Sequence, residues 1–169
     1  MMRFMFLGVL FFLMAPQVQA TGTKYFVASV QGNGDLAIKA AELEKLFCLA
    51  GTKVAEKKKE SALCVHEVKA MMQHFAMTQS LGIKSGTNIQ GPDYYFHNSE
   101  VIFRAFLEMG PKKDATPTPV LRVQYLRGGS PPVVIKEQTI LLSRLPKDHE
   151  LAFIQDVMLS LLVSPQKTK

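Results

Sequence analysis

VIFRAFLEM, residues 101–109, sets the reading of the fold. Apolar side chains stand at every odd position, Val101, Phe103, Ala105, Leu107 and Met109, with Arg104 and Glu108 among the even ones. A period of two belongs to a strand with one buried face. The same period returns in Val120–Arg127, where Leu121, Val123 and Tyr125 alternate with Arg122 and Gln124. Between the two runs lies the polar, proline-rich segment 110–119 (GPKKDATPTP). Gly128-Gly129-Ser130-Pro131-Pro132 is a strong turn signal. Val133–Leu142 follows as a third strand, with Ile135 and Ile140 falling on opposite faces, which points to a bulge or a two-sided environment.

Upstream the period changes. Lys24–Val30 (KYFVASV) reads as a first strand, and Gln31–Asp35 as a glycine turn with Asp35 as a helix N-cap. The turn lacks the Gly-Lys-Ser/Thr of a phosphate loop and the third glycine of a dinucleotide fingerprint. Leu36, Ala40, Leu43, Phe47 and Ala50 trace one face of a helix that Gly51 is expected to cap. Thr52–Glu60 reads as a loop or a short strand. A second helix is expected from Ser61 to Leu81, its stripe made of Cys64, Val68, Met71, Phe75 and Thr78 and widened by Val65 and Met72. Gly82–Asp93 is a connection. A last helix restarts around Pro146–Asp148 with Leu151, Ile154, Met158 and Leu161 inward.

These elements predict an α+β fold: a single domain with an antiparallel sheet of about four strands and two to three helices on one face. The domain is expected to span residues 21–169. Residues 1–20 carry Arg3, an apolar run from Met5 to Ala15, Pro16, and Val18-Gln19-Ala20, the n, h and c pattern of a cleaved signal peptide. The run is short of the roughly 20 residues that span a bilayer, and no second run approaches that length. The expected location is the periplasm or the extracellular space.

The chain holds 20 basic and 14 acidic residues, a formal charge of +6. That balance suits anionic partners in general. In an exported protein it points to an envelope polymer or protein, and nucleic acid is not expected. Two cysteines in such a protein favour one disulfide. Cys48 and Cys64 flank the expected turn between the two helices, where an antiparallel pair brings them together. Their spacing is far from that of a Cys-x-x-Cys redox motif.

Chemistry is sparse. No catalytic signature is present, no cofactor is expected, and the main expectation is a non-enzymatic accessory protein that binds another envelope component. The candidate surface is a basic and aromatic strip of Tyr94, Tyr95, Arg104, Arg122, Tyr125 and Lys136. The aromatic cluster Tyr94–His97 is otherwise expected to start the sheet core. One alternative is a copper site using His74 with Met71 and Met77, since soft ligands suit that metal. His66 stands about 12 Å along the helix from His74, too far to share the ion. A second alternative is a hydrolase whose site is assembled in space from the dispersed histidines.

Overall fold

A computed structural model describes residues 24–82, 89–110 and 117–163. The expected signal segment lies outside them. The elements in chain order are β1 (Tyr25–Gly32), α1 (Ala37–Lys57), β2 (Ala62–Cys64), α2 (Val65–Ser80), α3 (Pro92–Asn98), β3 (Val101–Met109), β4 (Pro119–Arg127), β5 (Val133–Leu141) and α4 (Glu150–Leu162). The α+β class holds, but the sheet has five strands in the order β2-β1-β3-β4-β5 and is mixed. β3, β4 and β5 are antiparallel neighbours, as their alternation predicts. β1 instead runs parallel to both β2 and β3. The reason is α1, which carries the chain back along the sheet, so that β2 starts beside the start of β1, with Tyr25 opposite Ala62.

Helices cover both faces of the sheet rather than one. α1 and α4 bury the first face, where Val27, Phe103, Ala105, Leu107, Leu121 and Val123 meet Leu43, Phe47, Ile154 and Met158. On the second face Phe26, Ala28, Ile102 and Leu126 pack with Val65 and Val68 of α2 and with Tyr95 and Phe96 of α3. The two sets alternate along each strand, as a pleated sheet requires.

Several expected boundaries move. The apolar stripe of α1 is buried as read, but the helix runs through Gly51 to Lys57, so residues 52–57 form neither loop nor strand. Gly51 is no cap. A Cβ there would lie 2.4 Å from Cγ2 of Val27, so glycine lets α1 lie close on β1. Gly51→Ala is expected to destabilise the protein by about 1 kcal/mol, overpacking outweighing alanine's better helix propensity. A higher melting temperature for that variant contradicts the close-packing argument.

Asp35 sits in a short 3-10 turn, Gly34–Leu36, before α1. α2 opens at Val65, not Ser61, because Ala62–Cys64 pair with β1. Its stripe is buried only through Val68. Beyond that Met71, Met72 and Met77 are exposed. Tyr94–His97 belong to α3 and not to a strand. α4 starts at Glu150, two residues after Asp148, and buries Ile154, Met158 and Leu161 as read, together with Val157.

The bulge foreseen in the third strand falls at Ile135. Tyr125 pairs with Lys136 and Leu126 with Val134, leaving Ile135 as the extra residue. A second bulge was not foreseen. Val27 pairs with Phe103 and Val30 with Ala105, so Ala28 and Ser29 of β1 stand opposite Arg104 alone.

Candidate functional site

That second bulge sits at a groove on the second face of the sheet. Two residues facing one bend the strand and break the ladder locally. The groove has a volume of about 260 Å³ and is lined by Ala28, Ser29 and Gln31 of β1, Pro92, Asp93 and Phe96 of α3, Phe26, Val65 and Arg104. Ala28 and Ser29 are small, so the strand beside Arg104 leaves space that larger side chains would fill.

Arg104 is held from several sides. Its Nε and Nη2 donate to Oε1 of Gln124 at 3.1 and 2.7 Å. Gln124 is directly opposite on β4 and only 5% exposed, and its own Nε2 donates to Glu137. The guanidinium carbon lies 5.7 Å from the Phe96 ring centre and 4.8 Å from that of Phe106, within cation–π range. Burial, and next the like charge of Arg122, lower its proton affinity from the usual arginine value. Arginine stays charged under such shifts. Among the described residues no carboxylate lies within ion-pair distance of it.

Arg122 differs. Its Nη2 donates to Glu108 Oε2 at 3.0 Å, and its Nη1 to Glu137 Oε2 at 3.4 Å. Its Nε stands 3.0 Å from Glu108 Oε1, off the hydrogen-bond axis. The hydrogen bond it donates to Glu108 and the charges of both acids raise its proton affinity. The charge of Arg122 is therefore met by two acids directly, while Arg104 is linked to Glu137 only through Gln124 and has no carboxylate at ion-pair distance among the described residues.

The expected strip is only partly assembled. Arg104 and Arg122 share the second face, both 4.8 Å from the Phe106 ring. Tyr95 is on the same face, its ring 6.0 Å from that of Phe26. Tyr94 is exposed and meets Tyr95 edge-on at 5.4 Å. Tyr125 and Lys136 point the other way. They pair with each other, Tyr125 lies 6.2 Å from Phe103 in the first-face core, and Lys136 donates to the carbonyl of Val163 just past α4. The bulge at Ile135 fixes this register, so Glu137 and not Lys136 stands beside Gln124. The strip is thus mixed in charge, and within it Arg104 is the cation with no carboxylate at ion-pair distance among the described residues. Sequence reasoning missed Ala28, Ser29, Phe106 and Gln124, and named Phe96 only as part of the aromatic cluster Tyr94–His97. The adjacent small pair Ala28-Ser29 inside an otherwise apolar strand was the available signal.

The residues of the copper alternative, Met71, His74 and Met77, all lie on the exposed length of α2. Among the described residues, the group of three His, Cys, Asp or Glu close enough to share an ion is a different one: Cys48, Cys64 and His66. Cys48 and Cys64 form the expected disulfide, with a Cα–Cα distance of 5.8 Å.

No family model matches the chain, and no curated protein matches it. Among solved structures it is similar to the PelC dodecamer from Paraburkholderia phytofirmans: 13% identity over 81% of this chain and 86% of that one, TM-score 0.38. A variant of that PelC gives 12% identity over 85% and 90%, TM-score 0.40. The hypothetical protein CT253 from Chlamydia trachomatis is 15% identical over 76% and 78%, TM-score 0.32.

Proposed function

We propose that the protein is exported and acts without catalysis, binding an acidic group of an envelope polymer or envelope protein in the groove at Arg104. The observation that carries this reading is the guanidinium itself. It is fixed by Gln124 and two aromatic rings at a bulge, faces a groove, and has no carboxylate partner among the described residues. Two of its N–H groups are engaged by Gln124, and the others, which have no partner among the described residues, can meet the oxygens of a carboxylate or phosphate. Phe26 and Phe96 give the ligand's carbon skeleton an apolar wall.

Export is supported by the n, h and c pattern of residues 1–20 and by the disulfide, a bond that persists in oxidising compartments. Among the described residues no helix is long and apolar enough to cross a membrane. Among the described residues that line the groove there is no histidine or cysteine. In the other large groove, beside α1, Thr52 donates to the Cys48 carbonyl at 3.1 Å and Glu67 accepts from the Cys64 amide at 2.8 Å. The Thr52 hydroxyl and the Glu67 carboxylate there are thus engaged by backbone groups.

The test is binding of the exported protein to a uronate-containing polysaccharide, with a neutral polysaccharide of the same length as control. Arg104→Ala is expected to weaken binding about tenfold, or about 1.4 kcal/mol, and Arg104→Lys to recover part of it, since a point charge replaces a planar fork. Arg122→Ala has the smaller effect. Equal affinity for both polysaccharides, or an Arg104→Ala protein that binds as the parent does, rules the reading out. A crosslinking pull-down from the native compartment that recovers neither polymer nor protein counts equally against it.

A further inference from the structure

We propose that reduction of the Cys48–Cys64 disulfide opens a soft-metal site formed by both sulfurs and the imidazole of His66. The ligand atoms of the three residues already lie within 4.8 Å of one another. They come from three neighbouring pieces of the fold: Cys48 from the middle of α1, Cys64 from the end of β2, and His66 from the first turn of α2.

Two thiolates and one imidazole suit a d10 cation such as zinc or monovalent copper. Bonds of about 2.3 Å to each sulfur in tetrahedral geometry separate the sulfurs by roughly 3.8 Å. With the Cα atoms 5.8 Å apart, side-chain rotation reaches that separation and the backbone stays in place.

The surroundings favour negative charge and access. Cys64 is the N-cap of α2, and its sulfur accepts from the backbone N–H of Glu67. The positive end of the helix therefore faces the sulfur that must become a thiolate. The Glu67 carboxylate is turned back onto the Cys64 amide at 2.8 Å, which fixes the first turn and so the place of His66. Thr52 Oγ1 lies 3.9 Å from the Cys64 sulfur. Cys48 and His66 line an open groove of about 600 Å³ with Glu44, Lys45 and Leu49, through which a cation and a fourth, water ligand enter.

The chemistry balances. A phosphine takes up the oxygen of one water and gives two electrons to the S–S bond, which breaks to two thiols. A divalent cation then forms two metal–sulfur bonds and one metal–nitrogen bond and displaces two protons. A small-molecule disulfide takes up the two electrons by thiol–disulfide exchange and leaves as two thiols, so the S–S bond re-forms, both thiolates are removed and the ion is expelled. Metal binding at this place thus reports the redox state of the compartment, independently of whether the Arg104 groove binds an anion.

The experiment starts from protein with its disulfide intact. It is reduced on an immobilised phosphine, separated from it without oxygen, and titrated with cadmium. One equivalent is expected to produce a thiolate-to-cadmium charge-transfer band, and the oxidised protein none. His66→Ala is expected to weaken binding at least about tenfold, while His74→Ala and the double variant Met71→Ala/Met77→Ala leave it unchanged. Zinc is expected to raise the melting temperature of the reduced protein and not of the oxidised one. A missing band overturns the proposal, as does a His66→Ala protein that binds as tightly as the parent. So does a reduced protein that stays unfolded with cadmium present.

Discussion

Phe103→Ala is expected to lower the unfolding free energy by about 4 kcal/mol, measured as a shift of the urea midpoint with an unchanged slope. Phe103 is fully buried on β3, the central strand. It pairs with Val27 of β1 on one side and Tyr125 of β4 on the other. Its ring stands 6.4 Å from that of Tyr25 and 6.2 Å from that of Tyr125. Truncation leaves a cavity between two strands held by hydrogen bonds and two helices packed above, so little can collapse into it. Phe106 is the control. It lies three residues along the same strand but on the second face, partly exposed, with the guanidinium groups of Arg104 and Arg122 each 4.8 Å from its ring centre. Phe106→Ala is expected to cost about 1 kcal/mol and to loosen Arg104. Equal costs for the two would mean that Phe106 is packed as closely as Phe103.

The contrast between these two phenylalanines also marks what the sequence could disclose. Alternation placed Phe103, Ala105 and Leu107 on one buried face, and the helical period did the same for Ala40, Leu43, Phe47 and Ala50. These patterns are local, and local periodicity survives folding. The parallel pairing of β1 was not legible. It depends on β2, whose three residues Ala62-Leu63-Cys64 are too few to show a period and run straight into a helix. A turn of α1 was hidden for a similar reason: Gly51 reads as a stop, but it is there because Val27 leaves no room for a Cβ. The site suffered most. Whether Lys136 joins Arg104 depends on one extra residue, Ile135, since a single-residue slip moves every side chain to the other face. Whether Arg104 has space beside it depends on the Ala28–Ser29 bulge. Both are properties of strand register, which is set by partners distant in the chain.

The double variant Cys48→Ala/Cys64→Ser is expected to lose about 3 kcal/mol and to melt roughly 6–12 °C below the parent. The bridge spans 16 residues, and closing a loop of that size removes chain entropy mainly from the unfolded state. Serine is chosen at position 64 for a reason. Cys64 is the N-cap of α2, and its side chain accepts from the Glu67 amide. A serine oxygen keeps that role, whereas Cys48→Ala/Cys64→Ala is expected to lose about 1 kcal/mol more. The difference between the two double variants separates the staple from the cap. If they melt together, the sulfur was not capping the helix. If neither melts lower than the parent, the bridge adds nothing that packing had not already fixed. The position of the bridge argues for a measurable effect. The loop it closes holds the last turns of α1, the turn after it and β2, and β2 is the shortest strand, at the edge of the sheet, held there by β1 on one side only. An edge strand of three residues has few ladder bonds of its own. The disulfide ties it to α1, and through α1 to the buried first face, so the same bond that stabilises the domain also fixes the start of α2 and the position of His66 beside the sulfurs.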